Sequence, residues 1–267
     1  MRLKIILLFA LLATAVPTSI AQVLVGPVIG AQTTWTSFDD KDYKSLYKVE
    51  PTWGFHAGMN LSFRVRKRFF LHSSFIYSQK GRVIKGEVDP LLKHKARFNY
   101  FEVPMLYTVE FKGHVKGGKE FKWYLGAGPN ISYWLGGRGE IYEEGINERN
   151  ISQTPLKYKI VFDKETDALP FDEMNVQDPN KLQLGLNLSA GIVFEPFGYQ
   201  KFMLTGRFEL GHSFLSKTGS GVFSSTDKYQ DVLQVRNNGF WLSLAYLVDL
   251  KVEDRKKGKS TIKKKRL

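Results

Sequence analysis

The chain has 267 residues and no cysteine, so its fold can rely on no disulfide and must be held by packing and backbone pairing. Its formal charge of +13 is concentrated at the ends: two positive charges fall in residues 1–21 and a net of seven in residues 251–267, which leaves +4 for everything between. That distribution excludes a basic nucleic-acid-binding fold, and nothing beyond residue 21 approaches the roughly 18 consecutive apolar residues of a spanning helix.

Residues 1–21 carry Arg2 and Lys4, an apolar run over 5–16, and then Ser19-Ile20-Ala21 with small residues where signal peptidase reads them. They read as a secretory signal peptide, with an exported chain starting near Gln22 and no cysteine there to take a lipid. From that point the sequence carries eight period-two runs, at about 23–36, 51–64, 69–80, 97–111, 121–135, 182–195, 201–215 and 238–250. The connections between them alternate in length. Those at 65–68, 112–120 and 196–200 are short, whereas 37–50, 81–96, 136–181 and 216–237 are long. An even number of strands with tight turns at one rim and long loops at the other is the pattern of an up-and-down barrel in an outer membrane. The mean hydropathy of −0.25 does not oppose this, because a polar lumen and wet loops offset an apolar exterior.

The run at 182–194, L-Q-L-G-L-N-L-S-A-G-I-V-F, shows the alternation most clearly. Leu182, Leu184, Leu186, Leu188, Ala190, Ile192 and Phe194 share one face, and Gln183, Asn187 and Ser189 share the other. Other uncharged faces carry Trp53, Phe55 and Met59; Phe101, Met105 and Tyr107; Trp123, Leu125 and Tyr133; Phe202, Leu204 and Leu210; and Phe240, Leu242 and Leu244. The opposite faces collect His56, Asn60, Arg64, His72, Glu102, Glu110, Asn130, Arg207, Glu209 and Asp249. A soluble eight-strand cup with its apolar face inward is the competing arrangement. Trp, Tyr and Phe near the strand ends favour aromatic girdles at two membrane interfaces.

The stretch Tyr100-Phe101-Glu102-Val103-Pro104-Met105-Leu106, followed by Tyr124-Leu125-Gly126-Ala127-Gly128-Pro129-Asn130 and then by Leu184-Gly185 with Ala190-Gly191, resembles the PorT-like outer-membrane β-barrels over about residues 22–250. The resemblance implies an integral outer-membrane barrel and, for function, an accessory or anchor role in an envelope machine such as type IX protein secretion. Gly239, Leu242, Leu244 and Tyr246 look like the last-strand signal read by the barrel-assembly machinery. The expected organisation is a signal peptide (1–21), an all-β eight-stranded antiparallel barrel (22–250) whose 136–181 loop is extracellular, and a basic periplasmic tail (251–267).

An eight-strand lumen is just wide enough to be filled by side chains. Arg64, Glu102, Glu110, Arg207 and Glu209 are therefore expected to form a paired polar network there, with a narrow channel or small-ligand barrel as the alternative. No catalytic, metal or cofactor site is expected. His72 with Ser74, and His212 beside Ser213, form no hydrolase constellation, and Asp39-Asp40-Lys41-Asp42 lacks the glycine and final glutamate of a calcium loop. The loop 136–181 has ten acidic and six basic residues and enough apolar ones to fold over the mouth as a lid or hairpin; its charge reads first as that of a plain soluble loop, with a contact to lipopolysaccharide through divalent cations as the alternative. Lys256, Lys257, Lys263, Lys264, Lys265 and Arg266 are candidate contacts for a periplasmic protein, anionic headgroups or peptidoglycan, and not for nucleic acid.

Overall fold

The computed structural model describes residues 22–87, 92–114, 121–142, 155–165, 169–197, 200–217, 219–223 and 230–250. The signal-peptide reading and the six basic residues of the tail lie outside them. The elements in chain order are β1 (Val23–Phe38), α1 (Lys41–Leu46), β2 (Tyr47–Glu50), β3 (Thr52–Arg66), β4 (Phe69–Gly86), β5 (Lys93–Gly113), β6 (Phe121–Tyr142), β7 (Leu156–Phe162), β8 (Glu173–Val176), β9 (Leu182–Phe197), β10 (Gln200–Phe214), β11 (Ser220–Phe223), β12 (Asp231–Val232) and β13 (Val235–Asp249).

Eight of these strands close a ring in the order β1-β3-β4-β5-β6-β9-β10-β13, each antiparallel to its neighbours. β13 returns to β1 in a register running from Leu24↔Asp249 to Phe38↔Val235, so no edge is left open in the ring. The fold is the expected eight-stranded all-β barrel.

The exterior of the ring is an apolar belt. Leu182, Leu184, Leu186, Leu188 and Phe194 of β9 are all exposed, as are Phe240, Leu242 and Leu244 of β13 and Trp53, Phe55 and Met59 of β3. In water such a surface would be a large unfavourable patch; in hydrocarbon it is the favoured one. The apolar face of β9 runs about 40 Å along the strand, or about 30 Å across a bilayer at a barrel tilt of ~40°. Aromatic pairs mark its two rims. Phe111 stacks on Trp123 at 4.4 Å on the short-turn side, and Phe55 meets Tyr77 at 6.1 Å on the long-loop side.

Three strands run further than the alternation suggested: β4 reaches Gly86, β5 begins at Lys93, and β6 continues to Tyr142. The in-and-out alternation continues past the outer rim, but the polarity of its two faces exchanges there. Along β5, Phe101 and Tyr107 face outward with Glu102 buried, whereas above them Ala96, Phe98 and Tyr100 are buried and the residues between are polar. Below the rim the surroundings are lipid and the lumen is polar; above it the surroundings are water and the interior is apolar. A search for one continuous pattern therefore stops at the rim.

Above the belt the strands build a second, water-soluble kind of core. β6 pairs with β9 through Tyr133 and with β7 from Gly137 onward, so the sheet forks at Gly136, whose φ of +136° suits glycine. β7, β8, β11 and β12 extend the branch, β7 and β8 being parallel. Ile84, Phe98, Trp134, Ile141, Leu156, Tyr158, Met174, Phe223 and Val235 pack into one cluster over the barrel mouth. Within 136–181 the described residues give β7 and β8, and Ile141, Leu156, Tyr158, Ile160, Met174 and Val176 join the cluster over the mouth. In the 37–50 connection, Asp40 caps α1 by accepting from Asp42 N at 2.9 Å, and Asp39 pairs with Arg236 at 3.1 Å, so two of those three aspartates have structural partners.

Candidate functional site in the barrel lumen

The lumen is crossed by a charged layer just beneath the cap. Lys80 on β4 donates from Nζ to Glu209 Oε1 of β10 at 2.8 Å and lies 2.8 Å from Glu102 Oε1 of β5. Arg207 of β10 donates from Nη2 to Glu102 Oε2 at 3.3 Å. All four side chains are buried, and two cations face two carboxylates. Aromatic rings complete the layer: Lys80 lies over Tyr100 at 5.1 Å and over Trp241 at 5.2 Å, and Arg207 lies 4.7 Å from the Trp241 ring. Buried ions are tolerated when each has a partner in good geometry, and here every ion has one or two.

Of the five residues expected in this network, Glu102, Arg207 and Glu209 come together. Arg64 and Glu110 do not. Arg64 is exposed at the periplasmic rim, where it donates from Nη2 to Lys67 O at 3.0 Å. Glu110 lines a recess of about 510 Å³ at the same rim, among Lys67, Arg68, Lys122 and Lys201. Both occupy inward positions of their strands, but they sit at the end of the tube, several residues along from the layer. Period-two reading gives the face and not the height. Lys80 is the last residue of the expected run 69–80 and is not among the five. Its signal is the inward series Ile76, Ser78, Lys80 and Arg82, all buried.

Below the layer, His56 bridges Gln32 Oε1 at 2.9 Å and Ser243 Oγ at 2.8 Å, and Gln32 Nε2 donates to Ser78 Oγ at 2.8 Å. Further down, His72 Nδ1 meets Ser62 Oγ at 2.5 Å, while Ser74 instead accepts from Asn60 at 3.2 Å. The free space bordered by His72, Tyr124 and Arg207 is about 30 Å³, room for one water and for no acyl chain. On β10, His212 is exposed, whereas Ser213 Oγ accepts from Leu184 N at 2.9 Å. Neither histidine is joined to a nucleophile and an open substrate space.

Glycines make room for these rings. A Cβ on Gly191 would stand 2.5 Å from Tyr124 Cζ, and Tyr124 uses that room to reach Thr205 Oγ1 at 2.5 Å. Large side chains on one wall facing glycine on the next fill a small barrel without strain.

Above the layer, Tyr100 stacks near Trp134 at 6.3 Å, and Trp134 meets Phe98 and Phe162 edge-on at 5.5 and 4.9 Å. Sequence reading found no second buried charge cluster, but the cap holds one. Arg82 Nη2 donates to Asp231 Oδ1 at 2.5 Å, His94 Nδ1 lies 3.5 Å from the same oxygen, and His94 Nε2 contacts the Tyr158 hydroxyl. These residues lie above the belt. Burial, with a smaller push from Arg82 against the pull of Asp231, lowers the pKa of His94 to about 4, and burial raises that of Tyr158.

The family model described as outer membrane protein beta-barrel domain matches residues 20–213. Among solved structures, Neisserial surface protein A is 13% identical, with 86% of this chain and 99% of that one covered at a TM-score of 0.40. The outer membrane protein OprG of Pseudomonas aeruginosa is 11% identical, with 86% and 92% covered and a TM-score of 0.43. Ail, the attachment invasion locus protein of Yersinia pestis, is 10% identical, with 84% and 97% covered and a TM-score of 0.34. No curated protein matches the chain.

Proposed function

Because the chain belongs to the outer membrane protein beta-barrel domain family, and is therefore integral to the outer membrane, we propose that it is a sealed, non-enzymatic barrel that serves as an anchor or accessory of an envelope machine rather than as a channel. The observation that carries this reading is the double closure of the lumen. The Lys80, Glu102, Arg207, Glu209 and Trp241 layer spans the lumen from β4 and β5 to β10 and β13, and the apolar cluster around Trp134 lies over it. A conducting path would need to break buried ion pairs and then part a packed core. What remains available to partners is surface: the cap on the long-loop side and the rim on the short-turn side. The PorT-like resemblance makes type IX secretion the first machine to examine.

Two measurements test this together. The purified barrel in planar bilayers should give no conductance steps, and steady conductance would replace the anchor reading with the channel one. Crosslinking in cells, with and without residues 251–267, should recover specific envelope proteins. Recovery of nothing beyond the assembly machinery would remove the accessory role.

A further inference from the structure

Above the belt, the outward face of β5, β6 and β7 is basic. In register, Arg97 stands beside Arg138, and Arg138 beside Lys159; one row higher, Lys95 stands beside Glu140, and Glu140 beside Lys157. Alternation fixes their direction, since Ala96, Phe98, Tyr158 and Ile160 between them are buried in the cap. Together with Asp172 these residues line an open recess of about 480 Å³. Five cations thus face two carboxylates, and among the described residues none of the five is in an ion pair. Like charges opposite one another on neighbouring strands repel. The row Arg97, Arg138, Lys159 sets three side by side across two strand pairs, and no carboxylate among the described residues forms an ion pair with them.

The height of the row narrows the partner. Phe101 is in register with Tyr77 and Tyr133, and the three exposed rings mark the outer rim of the belt. Arg97 is four residues further along β5, about 13 Å along the strand and about 10 Å above the rim at a tilt of ~40°. That is headgroup level, on the long-loop side that faces outward. We propose that this face docks the phosphorylated glycolipid of the outer leaflet. Arg97, Arg138 and Lys159 grip its phosphates, and its acyl chains lie on the belt below. Guanidinium groups suit the task because their forked donors meet phosphate oxygens in pairs. The net negative charge of the 136–181 segment as a whole suits a contact through divalent cations, whereas the charge that the described residues display at this height is positive and meets phosphate directly. The proposal does not depend on the barrel serving an envelope machine.

The test uses the full chain folded in detergent and titrated with bis-phosphorylated lipid A, with binding read by native mass spectrometry. Arms with phosphate-free lipid A, with inorganic phosphate, and with residues 251–267 deleted distinguish the sources of affinity. The expected result is saturable binding that falls roughly tenfold in Arg138→Gln, further in Arg138→Gln/Lys159→Gln, and similarly when the lipid phosphates are removed. Deleting the tail should leave it unchanged, and inorganic phosphate should compete poorly. Full binding by the double variant, loss with the tail alone, or equal competition by inorganic phosphate would overturn the assignment. Heat-modifiable gel mobility reports folding. In glycolipid-free detergent the double variant should melt at a higher temperature than the parent because repulsion is relieved, and a lower melting temperature would also count against the proposal.

Discussion

Arg82 and Asp231 are separated by 149 residues in sequence, yet Arg82 Nη2 lies 2.5 Å from Asp231 Oδ1 with both side chains fully buried in the cap. The pair ties β12, the last strand of the forked branch, back to β4 of the ring. Asp231→Asn should strip the buried guanidinium of its counter-charge and cost about 3–5 kcal/mol of cap stability. Replacing both with apolar residues, Arg82→Met with Asp231→Leu, should recover most of the loss. Limited proteolysis of the cap on intact cells, with urea unfolding of the purified barrel, measures both.

Acid should loosen the same region. His94 is held neutral in the folded cap with a pKa of about 4, against about 6.5 when unfolded. Its contribution is complete above pH 6.5. Between pH 6.5 and about 4 the unfolded cap takes up a proton that the folded one refuses, so stability declines as pH falls through that window, by at most about 3 kcal/mol. Proteolysis of the cap at pH 7.5 and pH 5 should show the trend, and His94→Gln should flatten it.

Lys80→Met should leave Glu102 with Arg207 at 3.3 Å and remove the ion pair of Glu209. The expected cost is about 3–5 kcal/mol in urea unfolding. Conductance should stay absent, because Tyr100, Trp241 and the cap remain in place. Current through the variant would instead make this layer the gate.

Gly191→Val should push the Tyr124 ring from its place and break its contact with Thr205, a cost of about 1–3 kcal/mol. Adding Tyr124→Ala should return part of that stability if the ring is the obstacle. Unfolding midpoints of the parent and the two variants decide it.

The barrel itself was legible because lipid outside and polar groups inside impose a simple alternation, kept without a break from Leu182 to Ile192. What escaped was the charged interior above the rim. Lys80, Arg82 and His94 belong to strands whose alternation continues, but with its meaning reversed, and a pattern search tuned to lipid-facing residues drops them. The inward direction of Arg64 and Glu110 was readable, but their height was not, since height depends on the stagger between strands. The two members of the Arg82 and Asp231 pair come from distant segments, and nothing local in either sequence announces the other.

The closure of β1 against β13 has a consequence in time. Leu24 is paired with Asp249, so the ring cannot shut until nearly the whole chain has been delivered, and contacts at such separation are slow to form. Strand pairing can proceed from β3 to β10 as neighbours arrive, but Val235, at the outer end of β13, also belongs to the cap core. Sealing of the wall and sealing of the lid are therefore one late event. A chain stalled before it would sit in the membrane with an open seam and an unplugged mouth, the state in which quality-control proteases would have most to cut.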